Sequence, residues 1–216
     1  MKLTKHAHAC VVVEDRGVRI LIDPGTFTPN ARDLLAQADA VLITHDHFDH
    51  FDLDAVRDAL QTRPQLTVFG PSAVIQALTA SGIEGARLHR VADGEQLTVA
   101  GIDVTVVGGP HALIHDGISV PDNAGYLIAG TVYHPGDAYA VPATQVDTVL
   151  VPSSGPWTKV GDAIDFVRAI APRQTVPIHE AMLSEIGIGS FARFLGPDGL
   201  TGVELVPLAP GASIEI

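Results

Sequence analysis

Ala40-Val41-Leu42-Ile43-Thr44-His45-Asp46-His47-Phe48-Asp49-His50 runs from an apolar stretch into three imidazoles and two carboxylates. The apolar half reads as a buried strand. The polar half is then a short loop between that strand and a helix beginning at Leu53. His45 and His47 stand two apart, so in extended backbone they point to one side and can grip one metal ion. Asp49 and His50 follow where the chain turns into the helix, placed to face a second ion a few ångströms away. Imidazole nitrogen and carboxylate oxygen suit zinc, manganese or iron alike.

One loop cannot complete such a site, and further donors are expected at other strand ends. His111 follows Val107-Gly108-Gly109-Pro110. Asp137 closes Tyr133-His134-Pro135-Gly136-Asp137. His179 closes Thr175-Val176-Pro177-Ile178-His179. Each is a ligand-type residue directly after a predicted strand.

The run His45-Asp46-His47-Phe48-Asp49-His50, with His111, Asp137 and His179 in that order, resembles the H-x-H-x-D-H signature and remaining ligands of the metallo-β-lactamase superfamily. Within it, His8-Ala9, Tyr133-His134-Pro135-Gly136-Asp137 and Val176-Pro177-Ile178-His179 look most like the small hydrolases grouped with L-ascorbate-6-phosphate lactonase. The resemblance implies a four-layer αββα sandwich of two mixed β-sheets with the metals at one edge. It implies that His45, His47 and His111 hold one ion, that Asp49, His50 and His179 hold another, and that Asp137 bridges them. Cys10 falls outside every ligand position, which removes the zinc-thiolate site of one class of β-lactamases. The resemblance also carries a tendency toward homo-oligomers.

Outward from the motif, Cys10–Val13, Val18–Ile22, Leu66–Phe69, Ile102–Val107, Tyr126–Ile128, Thr148–Val151 and Val203–Val206 read as strands. Ala31–Gln37, Leu53–Arg63, Ser72–Ser81, Asp162–Ile170 and Ser190–Leu195 have helical spacing and end at Gly or Pro signals. Gln96–Ala100 into Ile102–Val107, and Tyr126–Ile128 into Thr131–Tyr133 across Ala129-Gly130, read as hairpins. Strands and helices alternate with hairpins between them, so the fold class is α/β with mixed sheets, in one domain spanning 1–216.

The 216 residues are 46% apolar and 18% charged, enough to bury a core and too apolar for a disordered chain. A net charge of −12 disfavours nucleic acid and anionic membrane surfaces as partners. No apolar run is long enough to span a bilayer. The single cysteine and the lack of a signal-like N-terminus point to a cytoplasmic protein.

Around the motif, His8 and His134 stand where they would either orient a ligand or fill a strand end. His115 reads as a loop histidine near the site, able to meet substrate. His6 and His89 read as surface residues, Asp46 as an acceptor for His45 or His47, and Glu180 as a support for His179. Asp52 reads as a helix N-cap. Trp157, the only tryptophan, lies on a Gly/Pro-rich loop and walls the pocket or packs on the next helix. Lys159 is the only cation close to the motifs in sequence, so no clamp for a multiply charged phosphate is evident. Gly-x-Ser-x-Gly does not occur. The expected function is a binuclear hydrolase, with two divalent ions (zinc first, manganese or iron as alternatives) presenting a hydroxide to a small ester, lactone or phosphodiester. Asp49 and Asp137 are the catalytic carboxylates in that reading. The alternatives are an iron-type redox or oxygen-handling protein on the same scaffold, and a non-catalytic metal-binding domain.

Overall fold

The computed structural model describes residues 1–83 and 85–216. The first half of the chain builds one sheet. Its elements are β1 (Lys2–Lys5), β2 (Val11–Asp15), β3 (Val18–Ile22), α1 (Ala31–Leu35), β4 (Ala40–Leu42), α2 (Leu53–Thr62), β5 (Thr67–Gly70), α3 (Ser72–Ala80) and β6 (Leu88–Arg90). The second half builds another from β7 (Gln96–Val99), β8 (Ile102–Pro110), β9 (Asp122–Ile128), β10 (Val132–His134), β11 (Thr148–Pro152), α4 (Val160–Ile170), β12 (Gln174–Ile178), α5 (Glu185–Leu195) and β13 (Glu204–Leu205). The last strand, β14 (Ser213–Glu215), returns to the first sheet and pairs antiparallel with β1.

Each sheet has seven strands, ordered β14-β1-β2-β3-β4-β5-β6 and β13-β12-β11-β10-β9-β8-β7. Both are mixed. In the first, β3 to β6 run parallel and β1 to β3 antiparallel. In the second, β10 to β13 run parallel and β7 to β10 antiparallel.

The continuous apolar runs have a direct physical reason: successive side chains point to opposite faces, and both faces are covered. On β2, Val11 and Val13 enter the core between the sheets, while Val12 packs toward the helices. Ile20 and Ile22 face inward and Leu21 outward on β3. Leu150 faces inward and Val149 and Val151 outward on β11. Leu34, Val56, Leu60, Val74 and Leu78 of α1 to α3 cover the first sheet. Ala163, Val167, Phe191 and Leu195 of α4 and α5 cover the second. The layers are therefore helix, sheet, sheet, helix, as the motif resemblance implies.

The hairpin turns match their sequence signals. Ala129 and Gly130 have φ of 49° and 64°, and Ala100 and Gly101 have 48° and 87°, the paired positive values a primed two-residue turn requires. Asp52 caps α2, its side chain accepting from the Ala55 N–H. Several boundaries differ from the sequence expectation. Helix α5 starts at Glu185 rather than Ser190, because Ser184 accepts from the Gly187 N–H and nucleates an earlier turn despite Gly187 and Gly189. Helix α1 stops at Leu35, two residues short. Strand β8 runs on through Gly108 and Gly109 to Pro110, paired with β9 as far as Asp122. Strands β1, β6 and β14 were not foreseen, since each is short and owes its existence to a neighbour strand rather than to its own apolar pattern.

Candidate metal centre

Two polar contacts between the sheets set the platform. The Tyr126 hydroxyl, fully buried, donates to the Ile43 carbonyl at 2.8 Å. The Ala124 N–H of β9 donates to the Thr44 carbonyl at 2.8 Å. The loop after β4 is thereby tied to the opposite sheet immediately before His45.

Two of the three histidines on that loop, His45 and His50, are oriented from behind. Asp23, which follows β3 directly, is fully buried and accepts from the Thr44 N–H at 2.8 Å and from its hydroxyl at 2.7 Å. It also lies 2.6 Å from His50 Nδ1, so Nδ1–H points at the carboxylate and Nε2 points forward. The Thr44 hydroxyl oxygen lies 3.0 Å from His45 Nδ1. Because the hydroxyl proton goes to Asp23, that oxygen accepts from His45, and His45 Nε2 is left bare. Gly25 is obligatory: a Cβ there would stand 1.9 Å from the Asp49 carbonyl oxygen.

The second sheet delivers its residues by separate devices. His111 follows β8, and its Nδ1 donates to the Ala112 carbonyl at 2.6 Å, freeing Nε2. The Asp137 N–H donates to Asn123 Oδ1 at 3.0 Å, while Asn123 Nδ2 donates to the Pro135 carbonyl at 2.8 Å. Buried Asn123 thus fixes the loop that aims Asp137. His179 follows β12 with φ of 63°, and its N–H donates to the His8 carbonyl at 3.0 Å, a third link between the sheets.

These side chains converge in two groups. His45 Nε2 and His47 Nδ1 face each other at 3.1 Å, and the His111 ring lies 4.9 and 4.7 Å from the two rings. Asp49, His50 and His179 form the other group, with His50 Nε2 and His179 Nε2 3.1 Å apart. Asp137 stands between them: one oxygen is 3.1 Å from His50 Nε2, the other 3.1 Å from His179 Nε2 and 3.4 Å from His111 Nε2.

Burial and charge pull these groups in opposite directions. For Asp137, burial raises the pKa, but the neighbouring imidazoles, His50 first, outweigh it and hold the carboxyl well below the usual range. Burial also opposes ionisation of Asp49, and hydrogen bonds from His179 and His8 overcome it. His50 is lowered by burial yet held well above its ordinary value by Asp137 and Asp23. His45, buried beside His50, is driven well below. The carboxylates thus favour positive charge at this point, and they raise His50 and His179 against the effect of burial.

A divalent cation fits this donor set. Imidazole nitrogens 3.1 Å apart are close enough to serve as two ligands of one cation. The buried atoms His111 Nε2, Asp137 Oδ1 and His179 Nδ1 have no hydrogen-bond partner. Imidazole and carboxylate are the ligands that zinc, manganese and iron accept.

The flanking residues divide. His8 lies within the second group, its Nε2 3.0 Å from Asp49 Oδ2, its Nδ1 accepting from the Ala181 N–H at 3.4 Å. His8 is therefore the donor that orients Asp49. His134 is fully buried at the end of β10 and bonds backbone only: Nε2 donates to the Ala9 carbonyl at 2.9 Å and Nδ1 accepts from the Gly136 N–H at 3.1 Å. Trp157 does more than wall the pocket, since its Nε1–H donates to Asp137 Oδ2 at 2.9 Å and its ring lies 5.9 Å from His111. His115 is exposed and accepts from the Gly117 N–H.

Four expectations are corrected. Asp46 is exposed and bonds to neither His45 nor His47. Glu180 pairs with Lys5 instead of supporting His179. His89 is partly covered, stacked on Phe69 with ring centroids 4.5 Å apart, and His6 is likewise partly covered. Asp23 and Asn123 were missed. Asp23 carried a usable signal, since Leu21-Ile22-Asp23 is again a carboxylate directly after a buried strand. Asn123 carried none. Cys10 is fully buried, and burial pushes its thiol up to about 12, so it is inert.

Comparison with known proteins places this geometry. A family model described as the beta-lactamase superfamily domain matches residues 2–179. Protein Rv0786c of Mycobacterium tuberculosis is 34% identical over 212 residues, which are 96% of this chain and 97% of that one. A UPF0173 metal-dependent hydrolase of Methanosphaerula palustris is 29% identical over 232 residues, covering 100% of both. Among solved structures, Igni18, a metallo hydrolase from Ignicoccus hospitalis, superposes with a TM-score of 0.73 at 23% identity, covering 100% of this chain and 98% of that one.

Proposed function

Since the chain belongs to the metallo-β-lactamase superfamily, we propose that it is a metal-dependent hydrolase that holds two divalent cations and cleaves a small uncharged ester or lactone. The observation that carries this reading is Asp137, whose carboxylate lies between two groups of inward-facing imidazoles while His111 Nε2 and Asp137 Oδ1 remain without hydrogen-bond partners. His45, His47 and His111 would hold one ion, and Asp49, His50 and His179 the other, with Asp137 shared. Bound dications would lower the pKa of water to about 7 and polarise the scissile carbonyl.

The chain's own residues do the rest. Asp23 and Thr44 hold His50 and His45 in the required tautomers. Trp157 occupies one lone pair of Asp137 Oδ2 and so fixes the plane of that carboxylate. Asp49, kept ionised by His179 and His8 and oriented by His8, is suited to hold a cation.

Substrate charge follows from the mouth. Among the described residues, no Lys or Arg forms an ion pair or hydrogen bond with any of the grouped His and Asp side chains. Lys159 turns to Asp162, 3.5 Å away. The rim is apolar instead. Phe48 is 63% exposed and meets Phe27 edge-on, and Phe27 in turn lies 5.0 Å from His8. A cavity of about 560 Å³ beside His111 is lined by Leu113, Val120 and Tyr139. The lack of any Lys or Arg contact to the grouped side chains, among the described residues, supports an uncharged ester or lactone over a phosphorylated substrate.

The test is metal analysis of the purified protein followed by a substrate panel. Two equivalents of zinc, manganese or iron, with neutral aryl esters and lactones hydrolysed at least about tenfold faster than phosphodiesters, are expected. Hydrolysis confined to phosphodiesters would reject the substrate class. Bound iron with oxygen consumption and no hydrolysis would favour redox chemistry, and bound metal without turnover a binding role.

A further inference from the structure

Among the described residues, seven other than glycine have a positive φ. Arg16, Ala100 and Ala129 each precede a glycine of positive φ in a turn, and Ala171 is the left-handed cap of α4. The remaining three are His8 at 60°, Asp23 at 50° and His179 at 63°. All three stand at the candidate metal centre. A Cβ makes this conformation unfavourable, and it persists only where the surroundings enforce it. A glycine would adopt it freely but would bring no imidazole.

At His179 the backbone carries a burden that it is spared at three other imidazoles. Thr44, Asp23 and the Ala112 carbonyl engage the rear nitrogens of His45, His50 and His111. The rear nitrogen of His179, Nδ1, is buried with no hydrogen-bond partner. The aim of its Nε2 toward His50 and Asp137 therefore rests on its main chain and on packing against the His8 ring, 3.7 Å away between centroids.

That main chain is held on both sides. The His179 N–H donates to the His8 carbonyl at 3.0 Å. The His179 carbonyl accepts from the Ser154 hydroxyl, and among the described residues no other group donates to it. Ser154 is buried and lies just past β11, whose pairing with β12 ends at Pro152 and Ile178. Ser153 provides the contrast. Its hydroxyl donates to the Ile178 carbonyl at 2.7 Å, but its N–H donates to that same carbonyl at 2.9 Å. Without the Ser153 hydroxyl the Ile178 carbonyl stays satisfied. Without the Ser154 hydroxyl the His179 carbonyl is buried and bare.

We infer that Ser154 is a positioning residue for His179, on the reading of His179 as a metal ligand proposed above. Its hydroxyl locks the left-handed backbone that presents Nε2 to the group formed with Asp49 and His50. Once that anchor is lost, φ relaxes toward the negative range open to every residue, and the ring turns with it.

The test compares Ser154→Ala, Ser153→Ala and Ser154→Thr and reads two quantities. One is the His179 φ in solution, from its HN–Hα coupling and Cα shift. The other is zinc affinity by chelator competition, with histidine ¹⁵N shifts assigning each ion to its group. Ser154→Ala should lose the positive-φ signature and weaken zinc at the Asp49 group about 10–100-fold, while zinc at the His45 group holds. Ser153→Ala should change neither quantity, and Ser154→Thr, which keeps the hydroxyl, should restore both. If the alanine variant does not fold, Ser154→Cys, a weaker donor of similar size, should show an intermediate loss at the Asp49 group. Unchanged φ and affinity in folded Ser154→Ala or Ser154→Cys would overturn the role of Ser154. So would equal weakening at both groups, or the same loss in Ser153→Ala. A wild-type protein that binds no zinc would reject the proposed function, while the φ comparison still decides whether Ser154 holds His179. A wild-type protein with two zinc ions and an indifferent Ser154→Ala would reject the role of Ser154 alone.

Discussion

From the first sheet, His45, His47, Asp49 and His50 arrive together on the single loop after β4, with His50 braced by Asp23 directly and His45 through Thr44. From the second, His111, Asp137 and His179 arrive on separate strand ends, each with its own support: a backbone carbonyl for His111, Asn123 for Asp137, the His8 carbonyl for His179. The first arrangement concentrates risk, since one brace orients several side chains. The second distributes it, since each support serves one residue. What joins the two halves is Asp137, among the described residues the only carboxylate that reaches histidines of both groups.

The largest effect is therefore expected at that joint. Asp137→Asn keeps the shape and removes a charge where two cations would repel each other. Hydrolysis should fall at least about a hundredfold, near 2.7 kcal/mol of transition-state stabilisation, with bound metal reduced and the melting transition retained. Full activity at saturating metal would break the idea that the halves act through one shared carboxylate.

Asp23→Asn tests the concentrated brace. An amide cannot supply the charge that orients His50 while also accepting both Thr44 bonds. Metal affinity, read by competition with a chelator, should fall about 10–100-fold. An unchanged affinity would mean that the loop holds its own geometry. Gly25→Ala probes the same half from the backbone side, because the new methyl would collide with the Asp49 carbonyl. Overpacking of this kind costs about 1–3 kcal/mol, visible in denaturant unfolding, and the metal held by the Asp49 group should be lost first.

On the distributed side, Asn123→Ala leaves the buried Asp137 N–H unpartnered. It should cost about 1–3 kcal/mol of stability and disturb Asp137 alone, so that metal at the His45 group persists. Equal loss from both groups would show that the supports of the second sheet are coupled after all. Smallest is Trp157→Phe, which removes one donor from Asp137 Oδ2. A loss of about tenfold in kcat is expected, with metal content held, whereas Trp157→Ala should in addition raise KM by opening the wall beside His111.

Much of this was legible because it is local. The motif loop, the Asp52 cap, the hairpin at Ala129-Gly130 and the two-faced strands each declare themselves within a few residues, through periodicity, caps and turn chemistry. The order His111, Asp137, His179 was legible because each residue follows a strand end, His111 and His179 directly and Asp137 after Pro135-Gly136. Asp23 follows that same rule and was overlooked. Asn123, Gly25 and the Lys5–Glu180 pair follow no local rule, since their meaning lies in what stands opposite.

By itself the sequence determined the strand and helix alternation, the donor types and the strand ends that present them, because backbone stereochemistry and side-chain period act between near neighbours. Only the tertiary structure decided that Trp157 donates to Asp137, that Glu180 turns away to Lys5, and that, among the described residues, no Lys or Arg contacts the grouped side chains. Those outcomes depend on distances between segments far apart in the chain, and such distances are set when two sheets close over a common core, tied by Tyr126 to Ile43 and by Ala124 to Thr44.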